Sequence, residues 1–283
     1  MLTVLVDGVA YGMLLFILAC GLSVTMGLMN FINLAHGAFA MVGGYVTVIM
    51  LNDMGVPFLA CLPAAFVLAA LAGVVLERTL YVRLYKASHL DQVMFTIGLV
   101  FIAMATADYF MGAQQKLIQL PEFLRGRVGI GDAQISYYRL FIVLLCGLLA
   151  VGLQFALTRT RFGAQLRAAV DDGRVARGLG IDVSRLFAVT FAVGSGLAGL
   201  GGALGVELLG LDPTFAVRFM IYFLIVVAVG GTDSIVGPFL ASLLLGIGDV
   251  AGKYYVPGIG SFIIYAIMVG VLIVRPQGLF ARR

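Results

Sequence analysis

Apolar residues run through this chain in long stretches separated by short polar breaks. Gly8 to Leu28 is the first, closed by Met29-Asn30-Phe31-Ile32-Asn33. Leu34 to Leu51, Pro57 to Leu76, Val93 to Ala107, Leu140 to Leu157 and Leu186 to Val206 follow. Phe219 to Val229, Phe239 to Val250 and Phe262 to Val274 are shorter. At about 1.5 Å per residue, a run of about 18 apolar residues or more matches a bilayer core. The pattern predicts an all-α fold, a polytopic membrane helix bundle of about 8–10 transmembrane segments. Residues 1–283 read as one transmembrane domain, with a polar, Gly-containing loop at 112–138. Runs of about a dozen residues are too short to cross. The two that flank Gly230-Gly231 therefore predict discontinuous helices near a permeation path. The break at 29–33 predicts an interruption inside the membrane.

Composition agrees with the pattern. Hydrophobic residues make up 62% of the chain and charged ones 11%. A soluble domain of this length could not hide so much apolar surface. The net charge of +4 is no nucleic-acid signal, because the cations concentrate in a few loops. Segment 77–92 carries three Lys or Arg, 158–185 six and the C-terminal tail three, twelve of the 18 in the chain. Alternating spans put all three segments on one side, which the positive-inside rule makes cytoplasmic, the C-terminus included. Parity then puts the N-terminus and loop 112–138 outside. Cys20, Cys61 and Cys146 all lie in apolar runs, which argues against a disulfide framework or a metal site. Ile17-Leu18-Ala19-Cys20-Gly21 faintly resembles a lipoprotein cleavage box, but no Lys or Arg precedes it, so it reads as part of a retained first helix.

The charged stretch at 158–185 stands apart, with six arginines and three aspartates. Leu166, Ala169, Val170, Ala176 and Leu179 recur at three- and four-residue intervals, which predicts one or two short amphipathic helices. Arg167 and Asp171, and Asp171 and Arg174, have the spacing for ion pairs on the polar face. Such a helix could lie on anionic lipid. Mixed charges over a narrow apolar stripe fit a protein groove better.

Asn30, Asn33 and His36, near Ser23 and Thr25, form a second constellation. Polar side chains at membrane depth are costly unless they pair or meet water. An interrupted helix would offer amides to a carboxylate and carbonyls to an ammonium. The alternatives are asparagines that cap helix ends and a histidine satisfied within the fold. Thr25, Asn30, Asn33, His36 and Thr96 are the candidate substrate path. Asp108, Glu207, Asp233 and Asp249 stand at run boundaries and read as interfacial carboxylates, although a proton-coupled carrier could use them. Gly248 to Tyr254 imitates a phosphate loop, but its spacing is wrong and Tyr254 stands where a hydroxyl ligand to magnesium belongs. No nucleotide site, metal cluster or nucleophile motif is expected, so an enzyme is not.

Gly21 to Gly37, through Thr25-Met26-Gly27, Asn30, Asn33 and Ala35-His36-Gly37, resembles the N-terminal signature of the branched-chain amino acid ABC importer permeases. The same resemblance extends through Arg161-Phe162-Gly163, Arg167-Ala168, Asp171-Asp172, Ala176 and Leu179-Gly180-Ile181. It continues in Gly230-Gly231, Ser234 to Pro238 and Arg275-Pro276-Gln277-Gly278-Leu279. The chain is similar to the shorter of the family's two permease types. The resemblance implies a multi-pass subunit of a bacterial inner membrane, paired with a second permease. Two cytoplasmic ATPases, which hold the ATP and magnesium, and a periplasmic binding protein would complete the system. Arg161, Gly163, Arg167, Ala168, Asp171, Asp172 and Gly180 would belong to a coupling helix seated in an ATPase groove. Related permeases carry urea or short amides, so the resemblance leaves those cargoes open. Glu207 departs from the family, where a neutral polar residue is usual. A self-sufficient carrier driven by protons or sodium through Asp108 or Glu207 is the competing expectation.

Overall fold

The computed structural model describes residues 1–29, 31–85, 87–131, 133–231 and 234–279. Nine helices there run back and forth between two ends of a bundle: α1 (Leu2–Met29), α2 (His36–Val48), α3 (Phe58–Thr79), α4 (His89–Met111), α6 (Tyr137–Arg159), α9 (Val183–Leu209), α10 (Phe215–Gly230), α11 (Val236–Tyr255) and α12 (Ile263–Val274). A π-helical turn, Ile49–Asp53, extends α2. One turn of helix, α5 (Glu122–Arg125), and an antiparallel hairpin of β1 (Arg127–Ile130) and β2 (Ala133–Ser136) lie in the long loop. Two short helices, α7 (Arg161–Asp171) and α8 (Gly173–Gly178), lie in the charged stretch.

Long-range bonds fix which ends meet. Asn52 donates from Nδ2 to the Leu117 carbonyl, Lys116 and Leu211 form a β-bridge, and Arg139 pairs with Asp7. These contacts gather the N-terminus and the loop after α4 at one end, the hairpin end. Arg78 donates to the Ser184 hydroxyl at 2.9 Å, joining the foot of α3 to the start of α9 beside α7 and α8. The tail returns to that second end, where the Leu279 amide donates to the Val229 carbonyl at 2.8 Å. The N-terminus and the 112–138 segment thus lie at one end and the described parts of the basic segments at the other, matching the alternation of runs along the sequence.

α9 is the axis of the bundle. Gly194 to Val206 is buried without interruption, packed against α1, α2 and α3. Glycine permits this density. A Cβ at Gly12 would lie 2.6 Å from the Ser242 carbonyl oxygen of α11, and one at Gly21 would lie 2.6 Å from the His36 ring. With no hydrophobic drive between helices in lipid, close backbone approach of this kind supplies the packing energy. α4 and α6 are peripheral, with Phe101, Ile102, Leu144 and Leu148 turned outward where lipid tails solvate them. α4 starts at a capping box in which Ser88 and Asp91 satisfy each other's backbone amides.

One expectation changes. The run at Phe239 to Val250 is the middle of a 20-residue helix, long enough to cross. Helix α11 continues past Asp249 because Lys253, one turn on, pairs with it at 2.6 Å. Asp249 is buried within this helix. The 112–138 segment holds α5 and the hairpin. Asp233 lies outside the described residues.

Candidate functional site

The break between α1 and α2 is closed by α4. Gln92 accepts the Ile32 amide at 3.1 Å and donates to the Leu84 and Ala87 carbonyls. One turn later Thr96 accepts the Leu34 amide at 3.3 Å. Together they satisfy backbone groups that the lost helix would leave orphaned in lipid. Asn33 accepts a hydrogen bond from the Tyr81 hydroxyl, and its own Nδ2 is buried with no partner among the described residues. His36 starts α2 and bonds through Nε2 to the Leu18 carbonyl at 3.0 Å. Thr25 donates to the Leu22 carbonyl within α1. Thr25, Asn33, His36 and Thr96 are all buried, and the last three converge on this break. Asn30 lies outside the described residues.

Sequence reasoning missed Gln92, Tyr81 and Phe31, which complete the closure. Phe31 is buried against the rings of Tyr81 and Tyr85, at 5.2 and 5.5 Å. The available signal was Gln92 and Thr96 at i, i+4, two polar residues on one face of an otherwise apolar helix.

The charged stretch folds as a two-helix platform. Leu166, Ala169, Ala176, Val183 and Leu186 form a small apolar core that binds α7 and α8 to the foot of α9. A Cβ at Gly163 would strike the Leu157 carbonyl at the end of α6, so only glycine fits there. Arg167 donates to that same carbonyl, capping α6 with a cation. Asp172 breaks the chain between the two helices and caps α8, accepting from the Arg174 and Val175 amides at 2.8 and 3.0 Å. Those bonds hold its carboxyl below the ordinary aspartate range, the Val175 amide first and the Arg174 amide next. Gly180 ends the platform at φ +83, a conformation that favours glycine.

Two details correct the sequence reading of this stretch. Neither Arg167 nor Arg174 pairs with Asp171 among the described residues, because Arg167 is drawn to the α6 terminus. Leu179 is not part of the buried stripe. It is 76% exposed, and Val175, one turn earlier, is also exposed. Arg161, Arg167, Asp171 and Asp172 share the outward surface with them, while Ala168 is half-buried.

The family's other motifs meet at the end of α10. Gly231, at φ +84, turns the chain out of the helix, and a Cβ at Gly278 would lie 2.7 Å from the Gly231 amide nitrogen. Arg275 donates to the Leu279 carbonyl at 3.0 Å, closing the tail into a loop. At the hairpin end Glu207 lines two cavities, of about 610 and 1060 Å³, shared with Arg125.

A membrane-spanning helix bundle with a buried polar break between its first two helices and a charged platform at one end defines a polytopic membrane permease. The chain belongs to the family of branched-chain amino acid transport system permease components, whose model matches residues 4–272. It is similar to the permease protein BraD of the high-affinity branched-chain amino acid transport system of Pseudomonas aeruginosa, at 27% identity over 98% of this chain and 95% of the relative. LivH of Escherichia coli is 26% identical, with 98% and 94% covered. LivM of the same organism is 28% identical over 97% of this chain but only 69% of its own length, so the chain has the extent of the shorter type. No solved structure matches.

Proposed function

We propose that this chain is the membrane subunit of an ABC importer that moves branched-chain amino acids across a bacterial inner membrane by alternating access. ATP and magnesium would be held by two cytoplasmic ATPase subunits, and a binding protein would deliver cargo at the hairpin end. The second permease would be a paralogue, a reading supported by likeness to both LivH and LivM. Thr25, Asn30, Asn33, His36 and Thr96 would line or shape the path.

The observation that carries this reading is the outer face of α7 and α8. Its inner face is anchored by a buried apolar core, yet Val175 and Leu179 stand exposed among Arg167, Asp171, Arg174 and Arg177. Exposed apolar residues rimmed by mixed charges mark a protein docking surface. A lipid-seated helix would carry cations with few acids. A rigid platform of this kind can transmit motion of a docked ATPase into α6 and α9.

Replacing Arg167 and Asp171 by alanine tests the assignment. The expected result is lost transport and lost substrate-stimulated ATP hydrolysis with normal membrane insertion. Leu179→Asp, at an exposed side chain, should give the same phenotype without disturbing the α6 cap. Normal transport in both variants would sink the platform as the coupling surface. Transport by the purified chain alone under an ion gradient would replace the whole reading with a secondary carrier.

A further inference from the structure

Asp249 is the most deeply buried carboxylate at the hairpin end, with a side chain only 2% exposed. Its Oδ2 accepts from Lys253 Nζ at 2.6 Å, and its Oδ1 is buried with no hydrogen-bond partner among the described residues. A buried acceptor left unmade is costly, and more so when charged. An acid carried through a membrane helix in this state has room for one more donor.

A cavity of about 400 Å³ lies beside it, between α1, α10 and α11. Across the cavity α10 presents Arg218, partly exposed, held by Asp212 at 3.0 Å and lying 5.1 Å over the Phe219 ring. The rest of the wall is Leu208, Leu209 and Val250 with the Tyr11 and Tyr222 rings, together with the Asp7–Arg139 ion pair. The cavity thus offers a carboxylate for an ammonium, a guanidinium fork for a carboxylate and an apolar surface for a side chain. A hard metal ion would want several free oxygen ligands, and the two carboxylates here, Asp7 and Asp249, are each paired with a cation.

We propose that this cavity binds an α-amino acid zwitterion with an apolar side chain, its ammonium on Asp249 and its carboxylate on Arg218. Lys253 is then a tethered stand-in for the ligand's ammonium. Its side chain is about half exposed, with 48% of its surface accessible, and its head reaches Asp249 by a single i, i+4 bridge. It neutralises the acid while the site is empty and yields when a ligand arrives. The site lies where the binding protein would release cargo, so the choice of ligand rests on the proposed function.

The test is equilibrium binding of radiolabelled L-leucine to the chain with its partner subunits in nanodiscs, without the binding protein. Leucine should bind, and isoamylamine and 4-methylpentanoate, each lacking one charge, should compete at least roughly tenfold more weakly. Asp249→Asn and Arg218→Gln should each lose roughly tenfold or more. Lys253→Gln, which removes the internal competitor, should bind leucine several-fold tighter, a gain that misfolding cannot produce. Absent leucine binding, wild-type affinity in Asp249→Asn, or no gain in Lys253→Gln would overturn the site. Import by the complete system separates the two readings. If it imports no amino acid, the proposed function fails. If import is normal and the binding predictions fail, only the site does.

Discussion

The His36 imidazole bridges the break in the first helical pair by donating from Nε2 to the Leu18 carbonyl of α1 at 3.0 Å. A carbonyl oxygen only accepts, so the proton sits on Nε2. The ring is fully enclosed, edge-on to Phe39 and Phe223 at 6.4 and 6.2 Å. His36→Leu leaves the pocket filled but removes the donor, whereas His36→Gln keeps an N–H of similar reach. We expect His36→Leu to cost about 1–2 kcal/mol more than His36→Gln in denaturant unfolding of the solubilised protein. Equal stability of the two variants would show that the bond contributes nothing.

Thr96 and Gln92 hold the amides of Leu34 and Ile32. Thr96→Val is close in shape and strips the acceptor from a buried amide, at a cost of about 1–3 kcal/mol. Thr96→Ser should be near wild type. Gln92→Leu removes three bonds at once and should be the most damaging of the set. The order Gln92→Leu, Thr96→Val, Thr96→Ser in falling severity, read by the thermal midpoint and by transport, is the expected outcome.

The legibility of this molecule in its sequence follows from these contacts. Hydrophobic runs placed every spanning helix, because a bilayer constrains length more strictly than water does. They cut α11 short at Val250, since a hydropathy reading weakens at Asp249 and cannot see that Lys253 pairs with it. The platform was visible as helical periodicity at Leu166, Ala169 and Ala176, all buried. Leu179 was misplaced because α8 ends at Gly178, so Leu179 caps the helix and no longer follows its periodicity. The break at 29–33 was legible as polar residues in an apolar run. Its closure by Gln92 depends on a contact 60 residues away, which no local pattern encodes.

Glycine contacts supply an internal control. Gly12 faces the backbone of Ser242 and Leu243, and a Cβ there would sit 2.6 Å and 2.9 Å from the nearest atoms. Backbone cannot rotate aside as a side chain can. Gly98 of α4 has nothing within 4 Å of its Cβ position. Gly12→Ala should destabilise the bundle by about 1–3 kcal/mol through overpacking. Gly98→Ala should be neutral or slightly stabilising, because alanine favours the helix. Denaturant midpoints of the two variants decide the matter, and a neutral Gly12→Ala would mean that α1 and α11 do not meet this closely.

Asp172 gives the platform a pH dependence whose sign is fixed. Its charged form accepts the Val175 and Arg174 amides, so the folded carboxyl titrates below its unfolded value. The cap therefore contributes fully above the ordinary aspartate range and is lost as pH falls through the lowered folded value. Hydrogen exchange of the Arg174 and Val175 amides, corrected for the intrinsic rate, should show protection that is constant near neutrality and falls in acid. Asp172→Asn keeps a side-chain acceptor without a titrating proton and should remove the acid limb. Asp172→Ala should expose both amides at every pH. An acid limb that persists unchanged in Asp172→Asn would assign the titration to another group and leave the α8 cap without a role in it.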